Sequence, residues 1–259
     1  MSEKKPSLWL RAYSISVYGL IYAPILILIV FSFNTQKLNI RWEGFTLDWY
    51  KVLFNDSRIL LATRNTLIIA FISTLVATII GTMAALAMHR YRFPLYNLSE
   101  TVMYIPIVIP EVVMGISLLV FFVMINFTLG LTTITLSHIA FNIPFVALVV
   151  RARLHGYDKA IDEAAMDLGA NELTTFWRVT LPTIMPGVLS GAMLALTLSL
   201  DDYVITYFTA GPGSTTLPLR VFSMVKTAVT PEINALSTIW VLIIFILLVI
   251  GQISQKKKA

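Results

Sequence analysis

Three carboxylate side chains, those of Glu111, Asp201 and Asp202, lie within or at the edges of long apolar stretches of the sequence. An ionised group in such a setting is costly, and it usually faces a cavity or pairs with a partner. Carboxylates bind ammonium groups through charge-assisted hydrogen bonds, and aromatic faces such as those of Tyr203 and Tyr207 hold cations and methylene groups. These five residues form a candidate pathway for a cationic solute.

Adjacent helical residues differ in direction by about 100°, so Asp201 and Asp202 cannot both point at one spot. We expect one of them to face the pathway and the other to face a neighbouring helix or subunit. A packing role stays open for all three carboxylates, and an interfacial aromatic belt is the alternative for Phe208 and Trp240. His138 lacks sequence neighbours that would complete a metal shell, so we expect it to be a hydrogen-bonded packing residue.

Other kinds of chemistry find little support in the sequence. Cysteine is absent, which excludes disulfides, thiolate nucleophiles and cysteine metal sites. There is no phosphate-binding G-x-x-x-x-G-K-[ST] loop, no H-E-x-x-H and no G-x-S-x-G. We therefore expect no enzyme activity, no cofactor and no metal in this chain, and any nucleotide would be bound by another chain.

The composition indicates an integral membrane protein. The 259 residues are 57% hydrophobic and only 13% charged, with a mean hydropathy of +0.81. Soluble domains carry about 25% charged residues, and disordered chains are polar and poor in aromatic residues. The sequence therefore predicts an all-α membrane domain over residues 1–259.

Charge-poor segments long enough to cross a bilayer, which takes about 20 residues, occur six times. They lie near 11–33, 65–88, 101–126, 131–151, 186–209 and 233–254. The first is too long for a signal peptide and lacks a small-residue cleavage pattern, so we expect it to be retained. Pro106 and Pro110 should break the third helix close to Glu111 and free backbone carbonyls there.

The distribution of Lys and Arg predicts that both termini are cytoplasmic. Twelve basic residues then lie in inner segments: Lys4, Lys5, Arg11, Arg90, Arg92, Arg151, Arg153, Lys159, Arg178, Lys256, Lys257 and Lys258. Seven lie in two longer outer loops, 34–64 and 210–232: Lys37, Arg41, Lys51, Arg58, Arg64, Arg220 and Lys226. Within the second loop, Leu217–Val225 is either a short helix or a plain surface loop.

Small residues recur at four-residue spacing in two of the predicted spans. Ala77, Gly81 and Ala85 lie in the second span, and Gly187 and Gly191 lie in the fifth. Such spacing lets helices approach closely in lipid. The contacts could form within this chain or across a dimer.

The longest inner loop, 152–185, contains a predicted helix between Asp158 and Gly169. Asp158 is a favourable N-cap and Gly169 a favourable left-handed terminator. An apolar stripe follows the helical period at Ile161, Ala164, Ala165 and Leu168. We predict a second short helix from Asn171 to Val179, ended by Leu181–Pro182. Two short amphipathic helices suit a surface that receives a partner, and helices lying on the bilayer surface are the alternative.

The residues Glu163-Ala164-Ala165, Gly169 four positions later and Leu181-Pro182 resemble the EAA loop of ABC importer permeases. In that family the loop forms a coupling helix, which seats in a groove of the ATP-binding subunit. The resemblance implies this coupling role for a set of loop residues: Asp162, Glu163, Ala164, Ala165, Leu168 and Gly169.

The resemblance extends along the chain and is to the spermidine/putrescine importers, in particular to the second, C-type permease of their heterodimeric pores. It is carried by Trp42–Thr46, Trp49–Tyr50, Arg90–Phe93, Pro110–Met114, Leu198–Tyr203 and Leu217–Leu219. It implies the MetI-like fold of type I importers in a bacterial plasma membrane.

The implied partners are a second permease subunit, two ATP-binding subunits that hold ATP and Mg²⁺, and an extracytoplasmic polyamine-binding protein; nucleic acid is not among them. Related permeases carry iron, sulfate, molybdate or sugar derivatives, so another small solute is an alternative. A stand-alone secondary transporter or channel is a second alternative, although no inverted repeat with paired broken helices is visible.

Overall fold

The computed structural model describes residues 8–37, 41–227 and 230–256, and these residues are almost entirely helical. The α-helices are α1 (Leu8–Phe31), α2 (Asp48–Asn55), α3 (Ser57–Arg90), α4 (Tyr96–Val108), α5 (Glu111–Met124), α6 (Leu131–Leu154), α7 (Ala160–Asp167), α8 (Glu172–Thr175), α9 (Leu181–Asp201), α10 (Val204–Thr209), α11 (Leu217–Thr227) and α12 (Pro231–Lys256). A π-helical segment, Phe176–Thr180, joins α8 to α9. An isolated bridge between Asn34 and Phe45 is the extent of β-structure in the described part.

The chain divides into two compact units. One contains the residues up to Leu60 and those from Val221, and there α1 and α2 pack on α12. The segment between α1 and α2 is ordered around Asn34, whose side-chain amide donates to the carbonyl of Arg41 at 2.7 Å. The Trp49 indole donates to the carbonyl of Asn34 at 2.7 Å. Part of the predicted outer loop 34–64 is therefore folded, and it contains α2 and the start of α3.

The other unit, Leu61–Arg220, is built around α6, which packs against α3, α9 and α10. Glycines allow the closest approaches. A Cβ at Gly81 would lie 2.8 Å from the Cβ of Val146, and one at Gly187 would lie 2.6 Å from the Cβ of Arg153. The small-residue spacing thus serves packing within this chain at Gly81 and Gly187, which is one of the two possibilities left open by the sequence.

Helix breaks interrupt two of the predicted spans, and the one near Glu111 is the break that the prolines predict. The segment predicted at 101–126 consists of α4 and α5, which meet at Ile109–Pro110 with a bend of 110°. The segment predicted at 186–209 starts earlier and stops at Asp201, and α10 follows after two non-helical residues. In the second outer loop, Leu217–Val225 is helical and lies within α11.

Among the described residues, four helical segments are long and apolar enough to cross a membrane: Trp9–Phe31, Ser57–Arg90, Leu131–Leu154 and Glu172–Asp201. The bent pair α4 and α5 makes a fifth if it forms one span. The sixth predicted span, 233–254, lies in α12, whose apolar stretch Pro231–Ile243 is shorter. Four of the basic residues used to predict orientation, Lys4, Lys5, Lys257 and Lys258, lie outside the described residues.

The close approach of α3 and α6 predicts that Gly81→Ala destabilises the protein. The added methyl group would overlap Val146 and the carbonyl of Ile143, which lies 2.9 Å from its position. We expect a loss of about 1–3 kcal/mol, measured by thermal denaturation in detergent. Gly19→Ala is the matched control because a Cβ there meets nothing within 4 Å, and alanine has the higher helix propensity. Equal stability changes in the two variants would contradict this packing.

Candidate functional site

The first candidate site lies where α9 breaks off before α10. Asp201 is the last residue of α9, and Asp202 has an extended backbone with φ −63° and ψ 120°. The Asp202 carboxylate accepts hydrogen bonds from the N–H of Thr206 at 2.8 Å and from its hydroxyl at 2.7 Å. It also accepts one from the N–H of Ile205 at 3.3 Å. Asp202 therefore caps α10 and satisfies N–H groups at its start.

His138 on α6 fixes the same carboxylate from the other side. Its Nε2 lies 3.2 Å from Asp202 Oδ2 and 2.9 Å from Thr206 Oγ1, and its Nδ1 lies 2.7 Å from Ser199 Oγ. The hydroxyls of Ser199 and Ser73 are 3.1 Å apart. This polar network joins α3, α6, α9 and α10 in the buried interior. His138 is a hydrogen-bonded packing residue, as its sequence context predicts.

Asp201 points elsewhere. Asp201 is exposed, whereas the side chain of Asp202 is only 5% exposed. Glu111, the first residue of α5, is also exposed, and both aspartates lie within electrostatic range of it. Two separate helix breaks thus bring together the three carboxylates, which we term the carboxylate cluster.

Aromatic side chains follow the two aspartates directly along the chain. The rings of Tyr203 and Tyr207 are 5.7 Å apart, and Tyr207 is more than half exposed. Helix α10 lies close against α5 because Gly115 has no side chain, and a Cβ there would lie 2.7 Å from Phe208 Cδ2. The structure therefore brings the five predicted pathway residues to one region, and it separates the buried Asp202 from the exposed Glu111 and Asp201.

The chemistry that this arrangement supports is the binding of a positive charge. Exposed carboxylates beside an aromatic ring bind ammonium groups and the methylene groups between them. In the part of the chain that the structure describes, no group of three or more histidine, aspartate or glutamate side chains is arranged to hold a metal ion.

The second candidate site is the loop between α6 and α9. The Asp158 side chain accepts from the N–H of Ala160 at 3.0 Å, and Gly169 has φ +91°. The helix between them, α7, exposes Ile161, and Leu168 directly after it is exposed too. The helix lies inside the predicted bracket, but its N-cap is Lys159 and its C-cap is Leu168, one residue inside Asp158 and Gly169 at each end.

The remainder of the loop differs from the prediction. Asn171 caps α8 by accepting from the N–H of Thr174 at 2.8 Å. The helical path then continues through the π-helical segment into α9, so Leu181–Pro182 does not end it. Pro182 lies directly after the π-helical segment, where the regular i→i−4 hydrogen-bond pattern already changes, so the N–H that it lacks is tolerated there.

Asp162 and Glu163 are adjacent in α7 but have different surroundings. Glu163 is exposed, whereas Asp162 is buried and accepts hydrogen bonds from Arg90, Tyr157 and Thr180. Burial, and then the hydrogen bond to Asp162, raises the pKa of Tyr157. Of the predicted coupling residues, Glu163, Ala164, Leu168 and Gly169 are exposed, Ala165 is half-buried, and Asp162 faces inward.

Sequence reasoning missed the partners that fix these carboxylates. Ser199 and Thr206 bind the His138–Asp202 pair, and Ser73 in turn contacts Ser199. Arg90 and Thr180 donate to Asp162. The available signal was the occurrence of hydroxyl side chains within apolar segments, which is too common to single out these residues.

The helices, the breaks and the exposed loop define the class as a multi-pass helical membrane protein. The chain matches the family described as "Binding-protein-dependent transport system inner membrane component" over residues 77–257. It therefore belongs to that family of transport components.

Two relatives and one solved structure agree with this membership. The spermidine/putrescine transport system permease protein PotC of Haemophilus influenzae is 40% identical, over 95% of this chain and 96% of its own. The putrescine transport system permease protein PotI of Escherichia coli K12 is 44% identical, over 86% of this chain and 82% of its own. A bacterial alginate ABC transporter, solved in complex with an alginate pentasaccharide-bound periplasmic protein, shares the fold with a TM-score of 0.72 at 18% identity, covering 94% and 91% of the two chains.

The opposite surroundings of two adjacent aspartates predict opposite effects on stability. Asp202→Ala leaves His138 and the start of α10 without their acceptor, and we expect it to cost about 3 kcal/mol of unfolding free energy. Asp201→Ala removes an exposed side chain and should cost less than about 0.5 kcal/mol. Thermal denaturation of the two purified variants measures the difference. Similar losses would contradict the assignment of Asp202 as the buried cap.

Proposed function

We propose that this chain is a permease subunit of an ATP-driven polyamine importer and forms half of its translocation pore. The observation that carries the proposal is the pair of exposed carboxylates at two helix breaks, Glu111 at the start of α5 and Asp201 at the end of α9, with the exposed ring of Tyr207 on the helix that follows. Spermidine and putrescine are flexible cations with apolar spacers, and their ammonium groups match carboxylates while their methylene groups match aromatic faces. Both relatives are named as polyamine permeases, which supports the same substrate class here.

The proposed complex has the subunits that the family resemblance implies. A second permease completes the pore, two ATP-binding subunits bind ATP and Mg²⁺, and a polyamine-binding protein delivers the solute from outside. The proposed topology has six spans in a bacterial plasma membrane, with both termini and the loop 152–185 in the cytoplasm. The exposed side of helix α7 supports the placement of the coupling contact on that loop.

In the proposed mechanism, ATP closes the two ATP-binding subunits and draws the α7 helices of both permeases together. The membrane helices then rotate, and the pore opens toward the docked binding protein. The polyamine passes Asp201 and Glu111 and is released inward after hydrolysis. Each carboxylate lowers the energy of the cation in the membrane, where transfer of a charge from water is costly.

Neutralising either exposed carboxylate should reduce polyamine uptake without preventing assembly. We expect Asp201→Asn and Glu111→Gln to lower ATP-dependent uptake about tenfold, because a hydrogen bond to a charged group contributes about 1.5–3 kcal/mol. The measurement is uptake of labelled spermidine and putrescine by vesicles that contain the whole complex. Asp48→Asn is the matched control, since Asp48 is exposed and pairs with Lys51 within α2. Normal uptake in both test variants would reduce these residues to packing roles.

Changes on the exposed side of the loop should uncouple ATP hydrolysis from transport. Glu163→Gln removes an exposed charge of α7, and Gly169→Ala forces a side chain onto a backbone at φ +91°. We expect membrane insertion to persist and uptake per ATP hydrolysed to fall about tenfold. Gly156→Ala is the control, because that glycine of the same loop has φ outside the left-handed region and its nearest contact is at 4.0 Å. Normal coupling in both test variants would contradict the assigned contact.

A further inference from the structure

The buried side chain of α7 is a carboxylate. Asp162 is 7% exposed, whereas the apolar residues Ile161 and Leu168 of the same loop are 45% and 89% exposed. This reverses the usual pattern, in which a short surface helix buries its apolar residues and exposes its acids. Burying a charge is costly unless it is paired and hydrogen-bonded. A specific set of partners must therefore hold Asp162 in place.

Those partners come from the end of α3, from the loop after α6 and from the residue directly before α9. Asp162 Oδ2 accepts from Arg90, in the last turn of α3, at 2.5 Å. Its Oδ1 accepts from Thr180, which directly precedes α9, at 2.8 Å, and from the Tyr157 hydroxyl at 2.5 Å. Arg90 also donates to the Thr180 hydroxyl at 2.9 Å, which closes the set. Thr180 itself is fully buried.

We propose that Asp162 is a positioning residue that ties α7 to the ends of α3 and α9, so that displacement of the loop helix moves both membrane helices. The inference rests on the proposed function and assigns to Asp162 a role different from that of its neighbour. Glu163 faces outward, where a partner subunit can contact it, and Asp162 faces inward, where such a partner does not reach.

The position of the π-helical segment supports this role. Thr180 is the last residue of that segment, and π-helical turns often mark functional sites within longer helices. The carboxylate at Asp162 therefore holds the point at which the loop becomes a membrane helix. Arg90 lies at a helix C-terminus, where the helix dipole favours a cation, so the ion pair is also favourable from the α3 side.

The test compares variants of the whole complex by two measurements, the amount of ATP-binding subunit that copurifies and the uptake of labelled spermidine per ATP hydrolysed. Asp162→Asn should keep copurification within about twofold of wild type and lower coupled uptake about tenfold. Asp167→Asn, an exposed aspartate of the same helix, is the matched control and should behave as wild type.

A double variant tests whether any effect of Asp162→Asn comes from loss of folding alone. Arg90→Met/Asp162→Leu removes both charges and leaves no unpaired buried ion, which is often neutral for stability. It should assemble, bind the ATP-binding subunit and remain uncoupled. Thr180→Val removes the third partner's hydroxyl and should lower coupling about threefold, while Thr180→Ser, which retains the hydroxyl, should restore it.

Two outcomes overturn the inference. Coupling of the double variant within about twofold of the Asp167→Asn control would show that the Asp162–Arg90 interaction does not carry motion from α7 to the membrane helices. Loss of the ATP-binding subunit from a folded double variant would place Asp162 in docking instead. Failure of the proposed function is distinguishable, because the wild-type chain itself would then copurify with no ATP-binding subunit or would take up no polyamine.

Discussion

A helix can be interrupted inside a membrane only if the backbone groups that it frees find partners within the protein. Asp202 meets that requirement between α9 and α10, where its carboxylate accepts from the N–H groups of Ile205 and Thr206. His138 and the hydroxyls around it hold the carboxylate in place. The rest of the first site depends on this interaction. Because the Asp202 carboxylate is buried at this break, the side chain of its neighbour Asp201 lies on the exposed side, and Glu111 lies at the other break.

The two candidate sites share one design, an acidic pair in which the two neighbours face opposite ways. In Asp201–Asp202 the second residue is buried, and in Asp162–Glu163 the first is buried. Each buried member is hydrogen-bonded to residues from several helices, and each exposed member is available to another molecule. The buried carboxylate gives the exposed one a fixed position, which a site for a flexible cation or for a docking subunit requires. Under the proposed function, the buried carboxylates hold the helices while the exposed ones contact the polyamine or the ATP-binding subunit.

Much of this could be read from the sequence, because long apolar segments and local caps are local signals. Asp158 and Gly169 flank α7, and Pro110 marks the predicted break between α4 and α5, whereas Pro106 lies inside α4 and does not break it. The break at Asp202 could not be predicted, since neither glycine nor proline stands beside it and its partner His138 is 64 residues away. The burial of Asp162 could not be predicted either. An acid in the first turn of a helix is ordinarily exposed, and its partner Arg90 is 72 residues away in the sequence. Leu181–Pro182 does not end the second helix as predicted, because the π-helical segment before it accommodates a proline within a continuous helical path.

The most direct test uses the absence of cysteine from the natural chain. Single variants Asp201→Cys and Ser199→Cys, assembled into the complete complex, are exposed to a water-soluble cationic thiol reagent, with and without spermidine. We expect rapid modification at position 201, slowed by spermidine, and none at position 199, because Ser199 is 4% exposed within the His138 network. Equal modification at both positions, or modification at 201 that spermidine does not slow, would contradict it.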